Sequence, residues 1–152
     1  MFATKAPGHK EAQSYLYMKQ AYLSIGYQNR KHLQNEIDAI QKVLAGFQTK
    51  LFVFVDEHHF SAEEEKQMMA QAFADIHSSS FLIAEASEKA IGVGIEIGYA
   101  AALNKPIIYL RNIGSPHSTT AAGSASYSII YTNSADLTQK LTSLLLLRSS
   151  NF

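Results

Sequence analysis

The sequence has no cysteine, no excess of charge of either sign and no long hydrophobic run. The absence of cysteine excludes disulfides and thiolate chemistry, and it fits a reducing compartment. Thirteen basic residues balance thirteen acidic ones, so no overall field draws the protein to polymeric nucleic acid or to an anionic membrane. No apolar run approaches the roughly 18 residues of a spanning helix, and no basic-then-apolar leader is recognisable. We therefore expect a cytoplasmic protein without membrane or polymeric nucleic-acid partners.

The length and composition are those of one globular domain. Of the 152 residues, 47% are hydrophobic and only 17% are charged. A chain of this size buries roughly two-thirds of the surface that its unfolded form exposes. Residues 1–19 carry Pro7 and Gly8 and then a weak helical pattern, which we interpret as a loosely held arm that packs on a partner subunit. The domain itself is expected over residues 20–152.

Five apolar or alternating segments, separated by helical patterns, run through this domain. The segments are QAYLSIGY, KLFVFVDE, SFLIAEA, PIIYL and YSIIY. Most are apolar on both faces, as in buried parallel strands that are covered by helices on each side and joined by right-handed crossovers. The sequence therefore predicts a doubly wound α/β fold of the flavodoxin or Rossmann-like type, with about five mostly parallel strands.

The helices are predicted from apolar periodicity and from capping residues. One helix within residues 28–46 places Leu33, Ile37, Ile40 and Leu44 on one face and ends at Gly46. A second, within residues 61–77, is opened by a capping box of Ser61 and Glu64 and has Met68, Met69, Ala72, Phe73 and Ile76 as its inner face. A last helix runs from about Ser134 to Arg148, with Leu137, Leu141, Leu144 and Leu145 facing inward. Ligands bind at the carboxyl ends of the strands in such sheets, which directs the search to segments 26–29, 56–60, 87–94 and 111–120.

The run IGVGIEIGYA has glycines at positions 92, 94 and 98 around a single carboxylate, Glu96. Its third glycine comes four residues after the second and the run follows the third strand, so the spacing does not match the dinucleotide fingerprint G-x-G-x-x-G. The glycines instead leave room for a flat sugar and base to approach the backbone beside Glu96. A helix start also favours the ionised form of a carboxylate, which a nucleophile requires. The alternative is an ordinary glutamate on an exposed helix face.

The segment DIHSSSFLIAEASEKAIGVGIEIGYAAALNKPIIYL resembles the central block of the nucleoside 2-deoxyribosyltransferase family, which includes the deoxynucleoside 5′-monophosphate N-hydrolases. In that family the glutamate of the G-x-E-[LI]-G-x-A run is the nucleophile, and Glu96 occupies its position. The similarity begins near Ala21, where AYLSIGY matches the first strand with its tyrosine, Tyr22. It extends to the STT loop at 118–120 and the strand that follows.

The resemblance implies that Glu96 attacks the anomeric carbon and that water or an incoming base resolves the glycosyl-enzyme intermediate. Tyr22 is expected near the nucleophile. The family's usual proton donor is an aspartate whose position is Ala72 here, so the acid is expected at Asp75 one turn away or at Asp56, which is followed by His58 and His59.

The resemblance also implies a substrate site built from several loops. Gly26, Tyr27, Gly92 and Gly94 are expected to line it. Ser118 and Thr119 of the STT loop are expected to bind a phosphate or a sugar hydroxyl, unless this loop is only a polar surface turn. Ala90 stands where the monophosphate hydrolases have a phosphate-binding serine. A homodimer or higher homo-oligomer is expected, because family members complete the site with a neighbour's residues.

Other readings of the sequence remain open. DEHHF at 56–60 contains residues that can bind a metal, but adjacent histidines on an extended segment point to opposite sides, and we expect neither a metal nor a cofactor. Glu85 lies in an apolar strand and needs a partner if it is buried. Met68 and Met69 are interpreted as core. The alternatives to nucleoside cleavage or transfer are a glycohydrolase of a larger nucleotide such as NAD and a nucleotide sensor without turnover.

Overall fold

The computed structural model describes residues 19–152. The predicted arm lies outside these residues, except for Lys19. The strands are β1 (Lys19–Ser24), β2 (Thr49–Val53), β3 (Phe81–Glu85), β4 (Ile107–Asn112) and β5 (Tyr127–Tyr131). They form one sheet in the order β2-β1-β3-β4-β5, and every neighbouring pair is parallel. The predicted five-stranded, doubly wound α/β fold is confirmed.

Helices cover both faces of the sheet. They are α1 (Gln34–Gly46), the single turn α2 (Phe54–Glu57), α3 (Glu65–Ser78), α4 (Ile91–Ala102), α5 (Thr119–Ser124) and α6 (Ser134–Arg148). Short 3-10 segments span Tyr27–His32 and Ser149–Asn151. Helices α1 and α6 pack on one face of the sheet, and α3 and α4 pack on the other. Within the described residues, no helix is long and apolar enough to cross a membrane.

The alternation of β1 places its side chains in two separate cores. Ala21 and Leu23 join the core under α1 and α6, whereas Tyr22 joins the core under α3 and α4. This follows from the two-residue period of a strand, which sends successive side chains to opposite faces. Tyr22 and Ser24, two residues apart, therefore lie on the same face as α4.

Several predicted helices and strands differ from the structure at their ends. The second strand stops at Val53, and the residues that follow form α2 rather than continued strand. Helix α3 begins at Glu65, four residues later than predicted. The capping box is only half formed, because the Glu64 carboxylate accepts a hydrogen bond from the Ser61 backbone N–H at 2.7 Å while no side chain caps α3. The predicted last helix is confirmed over Ser134–Arg148.

Candidate active site

Glu96 lies on α4 and is held by two hydroxyl groups of β1. The Tyr22 hydroxyl donates to Oε1 at 2.8 Å, and the Ser24 hydroxyl donates to Oε2. Each carboxylate oxygen therefore has its own donor, and the two donors come from one face of a buried central strand. Because β1 is paired on both sides, by β2 and by β3, the position of the carboxylate is fixed by the sheet.

Burial is the main influence on the pKa values of Glu96 and Tyr22. Burial raises the pKa of Glu96, while the hydrogen bonds from Ser24 and Tyr22 act in the opposite direction. The expectation that the helix start would favour the ionised carboxylate was therefore wrong in direction. Glu96 is the sixth residue of α4, and the effect of the helix dipole is confined to the first turn. Burial and the adjacent negative charge of Glu96 also raise the pKa of Tyr22, so the phenol stays protonated and remains a donor.

A cleft of about 360 Å³ opens beside Glu96. Four of the predicted residues line it together: Gly26, Tyr27, Gly92 and Glu96. The other lining residues are mostly apolar or aromatic: Ile25, Phe54, Val55, His58, His59, Phe60, Met68, Met69, Ala72, Ala90 and Val93. The rings of Phe54 and Phe60 lie nearly parallel, with an interplanar angle of 13° and centroids 6.1 Å apart. The cleft is therefore suited to a flat heterocycle next to a carboxylate.

Two glycines shape this cleft in different ways. A Cβ on Gly92 would meet no heavy atom within 4 Å, so packing within the described residues gives no reason for a glycine here. A glycine inside a helix costs roughly 1 kcal/mol relative to alanine. A Cβ on Gly26 would come within 3.2 Å of the Ala90 Cβ, so Gly26 lets the end of β1 approach the start of α4. The open space above Gly92 is part of the cleft.

Asp75 does not line the cleft but contacts a residue that does. Its Oδ2 is 2.9 Å from His58 Nε2, and its Oδ1 accepts a hydrogen bond from Gln71 Nε2 at 3.0 Å. Ala72, at the family's aspartate position, is buried at the wall of the cleft. Of the two predicted acids, only Asp75 is therefore connected to the cleft, and the connection is His58.

Asp56 forms a two-pronged ion pair with Arg30. Its two carboxylate oxygens lie 2.7 and 2.8 Å from Arg30 Nε and Nη2. This pair joins α2 to the 3-10 segment after β1, and Asp56 is not among the residues that line the cleft. The described residues contain no group of three or more histidine and acidic side chains able to hold a metal ion. Asp56 therefore pairs with Arg30, whereas His58 pairs with Asp75.

The remaining predicted residues line a second cavity or lie outside both. Gly94 and Ser118 face an adjacent space of about 350 Å³ between α4 and α5, together with Lys89 and Thr120. Ser118 caps α5, since its hydroxyl accepts a hydrogen bond from the Ala121 N–H at 3.3 Å. Thr119 is exposed and lines neither space. Ala90 and Val93 line both cavities, which are therefore neighbours.

Sequence reasoning missed Ser24 and the aromatic wall. Ser24 carries a readable signal, because it lies two residues after Tyr22 in a strand and must share its face. Phe54 and Phe60 were assigned to a strand and its end, where no such wall is expected. Met68 and Met69, interpreted as core, are half-buried and line the cleft.

The fold and this site define the class of protein: a doubly wound α/β domain in which a part-buried carboxylate lines an open cleft. The model of the nucleoside 2-deoxyribosyltransferase family matches residues 21–139, and the chain belongs to that family. The resemblance seen in the sequence is confirmed. The protein is accordingly an enzyme of the nucleoside 2-deoxyribosyltransferase family.

Solved structures with the same fold include three bacterial proteins. Clostridium botulinum CMP N-glycosidase is 21% identical, with a TM-score of 0.59, and the match covers 81% of this chain and 98% of that one. The 2-deoxyribosyltransferase of Bacillus psychrosaccharolyticus is 16% identical, with a TM-score of 0.60 and coverage of 78% and 90%. A conserved protein from Enterococcus faecalis V583 is 14% identical, with a TM-score of 0.63 and coverage of 83% and 98%. No curated protein sequence matches the chain.

Proposed function

We propose that Glu96 is the nucleophile that cleaves the N-glycosidic bond of a nucleoside bound in the cleft. An oxygen of Glu96 bonds to the anomeric carbon as the carbon–nitrogen bond breaks, and the bonding electron pair leaves with the base. The resulting glycosyl ester is then attacked by water, giving a free sugar, or by a second base, giving a new nucleoside. The observation that carries the proposal is the placement of Glu96, which is held from behind by two hydroxyls and lines an open cleft.

Tyr22 supports the proposed reaction by orienting the carboxylate and by stabilising its charge. A hydrogen bond to a charged group contributes about 1.5–3 kcal/mol, and this one offsets part of the penalty that burial imposes on ionised Glu96. The stabilisation is smaller once the charge is lost in the covalent intermediate. Tyr22 therefore favours the ionised form of Glu96 without binding the substrate directly.

The lining of the cleft supports a sugar near Glu96 and a base against the aromatic wall. Phe54 and Phe60 offer a stacking surface, and Gly92 leaves the backbone open on the sugar side. No lysine or arginine of the described residues lines this cleft. A 5′-phosphate, if the substrate carries one, would therefore extend toward the adjacent cavity with Lys89 and Ser118. Deoxynucleosides, ribonucleosides and their 5′-monophosphates are the proposed substrates, and nucleotide salvage in the cytoplasm is the proposed setting.

Base release tests this proposal directly. The purified protein is incubated with the four common deoxynucleosides, the four ribonucleosides, their 5′-monophosphates and NAD, and the free base is measured by chromatography. Addition of a second free base distinguishes transfer from hydrolysis, because only transfer forms a new nucleoside. We expect release from at least one nucleoside or monophosphate. Release of nicotinamide from NAD alone would favour the glycohydrolase alternative, and binding without any release would favour the sensor.

Trapping the intermediate tests the role of Glu96. A 2′-fluoro-2′-deoxyarabinonucleoside slows breakdown of the glycosyl ester, because fluorine destabilises the developing positive charge on the sugar. We expect the intact mass of the wild-type protein to rise by the mass of one fluorinated sugar, and the adduct to map to Glu96 after proteolysis. An adduct on another residue would overturn the assignment. Size-exclusion chromatography of the same sample tests the predicted homo-oligomer.

A further inference from the structure

The leaving base needs a proton, and the residue at the family's acid position, Ala72, has none to give. Four titratable side chains line the cleft: Tyr27, His58, His59 and Glu96. Glu96 is assigned as the nucleophile, and Tyr27 is 80% exposed and its hydroxyl makes no hydrogen bond with the described residues. His59 is exposed and makes no hydrogen bond with the described residues. His58 remains, and it alone is tied to a carboxylate.

We propose that His58 is the general acid that protonates the departing base, and that Asp75 is its positioning residue. This inference rests on the proposed function, since it names the proton donor of that same reaction. The observation behind it is that His58 lines the cleft while its Nε2 is held by the carboxylate of Asp75.

The ring of His58 is fixed by its surroundings. Its centroid lies 5.0 Å from that of Phe54 and 5.9 Å from those of Phe52 and Phe60. Asp75 holds Nε2 at 2.9 Å and is itself held by Gln71. A ring packed by aromatic side chains and anchored at one nitrogen has little freedom to rotate. Its second nitrogen, Nδ1, therefore has a defined direction.

Nδ1 is free to meet a ligand. In the described part of the chain, no hydrogen bond involves Nδ1, and the only buried side-chain nitrogen or oxygen without a partner is Arg111 Nε. Nδ1 is therefore neither bonded nor sealed from solvent. Since His58 lines the cleft that Glu96 also lines, a base between them meets the carboxylate on its sugar side and the imidazole on its ring.

The proton balance follows from the contact with Asp75. Ionised Asp75 accepts from Nε2–H, so the acid form of His58 is the imidazolium, with a proton on each nitrogen. As the glycosidic bond breaks, its electron pair moves to the base, and a ring nitrogen or oxygen of the base takes the Nδ1 proton. Neutral His58 then removes a proton from the attacking water and returns to its starting state. General acid catalysis of this kind contributes typically 10²–10⁴-fold.

A leaving-group comparison tests the inference. One substrate is the nucleoside that wild-type protein cleaves fastest, and the other is the 4-nitrophenyl β-glycoside of the same sugar, whose leaving group departs as a stable anion. Release is measured in the first turnover for His58→Gln and Asp75→Asn. Because both substrates meet the same sample, the ratio of the two rates does not depend on the fraction of protein that is folded. His77→Gln, an exposed histidine on the same helix as Asp75, is the matched control.

We expect His58→Gln to slow base release by roughly 10²–10⁴-fold and nitrophenolate release by less than about tenfold. Asp75→Asn should show the same selectivity with a smaller loss, and His77→Gln should match wild type on both substrates. Equal losses on the two substrates, or no loss on the nucleoside, would overturn the role of His58. A wild-type protein that releases neither base nor nitrophenolate would instead overturn the proposed function, and this inference with it.

Discussion

Two glutamates of this protein have nearly the same immediate partners and quite different surroundings. Glu85, at the end of β3, accepts hydrogen bonds from the hydroxyls of Tyr131, at 2.9 Å, and Ser87. Glu96 likewise accepts one from a tyrosine and one from a serine. Burial raises the pKa of both carboxyls, and the two hydroxyl donors act against it in both. A shifted pKa and a tyrosine partner therefore do not by themselves mark the reactive residue.

Glu85 and Glu96 differ in whether a ligand can reach them. Glu85 is only 2% exposed, and its tyrosine belongs to the core under α1 and α6. Glu96 is held on the opposite face of the sheet and lines an open cleft. One carboxylate therefore ties the loop after β3 to β5, while the other is available to a substrate. The comparison teaches that the same pair of donors holds a carboxylate inside the fold in one place and at an open cleft in the other.

The largest expected difference is in turnover. Glu96→Gln keeps the volume of the side chain and one acceptor oxygen but removes the nucleophile, so base release should fall by roughly 10³-fold or more. Glu85→Gln should leave first-turnover base release within a few-fold of wild type, since Glu85 does not reach the cleft. Both are measured by chromatography on the same nucleoside. A comparable loss in the two variants would break the distinction between them.

A smaller effect is expected from removing each tyrosine hydroxyl. In Tyr22→Phe the pKa of Glu96 should rise further, because a hydrogen bond that lowers it is lost. The nucleophile must be ionised, so activity is lost as pH falls through this pKa, and the acid limb of kcat/KM should move to higher pH. The loss of one hydrogen bond to a charged group also corresponds to roughly 10- to 100-fold in rate.

Tyr131→Phe is the matched control for this profile. It removes the corresponding hydroxyl from Glu85 and should lower the free energy of unfolding without moving the acid limb. An acid limb that stays in place in Tyr22→Phe, or shifts equally in Tyr131→Phe, would contradict the proposed role of Tyr22.

The raised pKa of Glu85 should make the free energy of unfolding depend on pH. Its pKa in the folded protein lies above the ordinary value of 4.5, so between these two pKa values the folded state binds more protons than the unfolded state. The free energy of unfolding should therefore decrease as pH rises through that window and level off above it. Each unit by which the folded pKa is raised costs about 1.4 kcal/mol at neutral pH.

Glu85→Gln should flatten this decrease, because the amide oxygen can still accept from the Ser87 and Tyr131 hydroxyls, which both contact Oε1, and the amide does not titrate. Urea unfolding from pH 4 to 8 measures it, with Glu63→Gln, an exposed acid, as the control. Parallel curves for wild type and Glu85→Gln would show that Glu85 contributes nothing to the pH dependence.

The smallest effect is expected at the glycines of α4. Gly92→Ala and Gly98→Ala should each raise the free energy of unfolding by up to about 1 kcal/mol, because neither added Cβ meets another atom. Gly92 lines the cleft, whereas Gly98 lines only the adjacent cavity, so on a nucleoside without a 5′-phosphate only Gly92→Ala should raise KM. Chemical denaturation and steady-state kinetics check the pair. An equal change of KM in both variants would mean that Gly92 does not face the substrate.

The sequence predicted most of the fold because the parallel strands are short, apolar and separated by periodic helices. It also predicted that Tyr22 lies near Glu96, because each lies in a recognisable local run, and the hydrogen bond between them confirms that proximity, while their catalytic roles stay a prediction. The direction of the Glu96 pKa was missed, since burial depends on how α4 packs on β1 and not on the position of Glu96 within its helix. The pairing of His58 with Asp75 was equally hidden, because these residues are 17 positions apart and meet only after α3 packs on the sheet. The pairing of Arg30 with Asp56 was hidden for a similar reason, because these residues are 26 positions apart in the sequence.

The hydrogen bonds to Glu96 join residues that are 72 and 74 positions apart in the chain. They can form only after β1 has paired in parallel with β3, which closes a long loop and is slow compared with the formation of helices. During refolding, the circular-dichroism signal of the helices should therefore return before catalytic activity does. The return of turnover then reports the pairing of β1 in the sheet. A fragment that lacks residues 19–24 retains Glu96 but loses both hydroxyls that hold it, and it should be inactive.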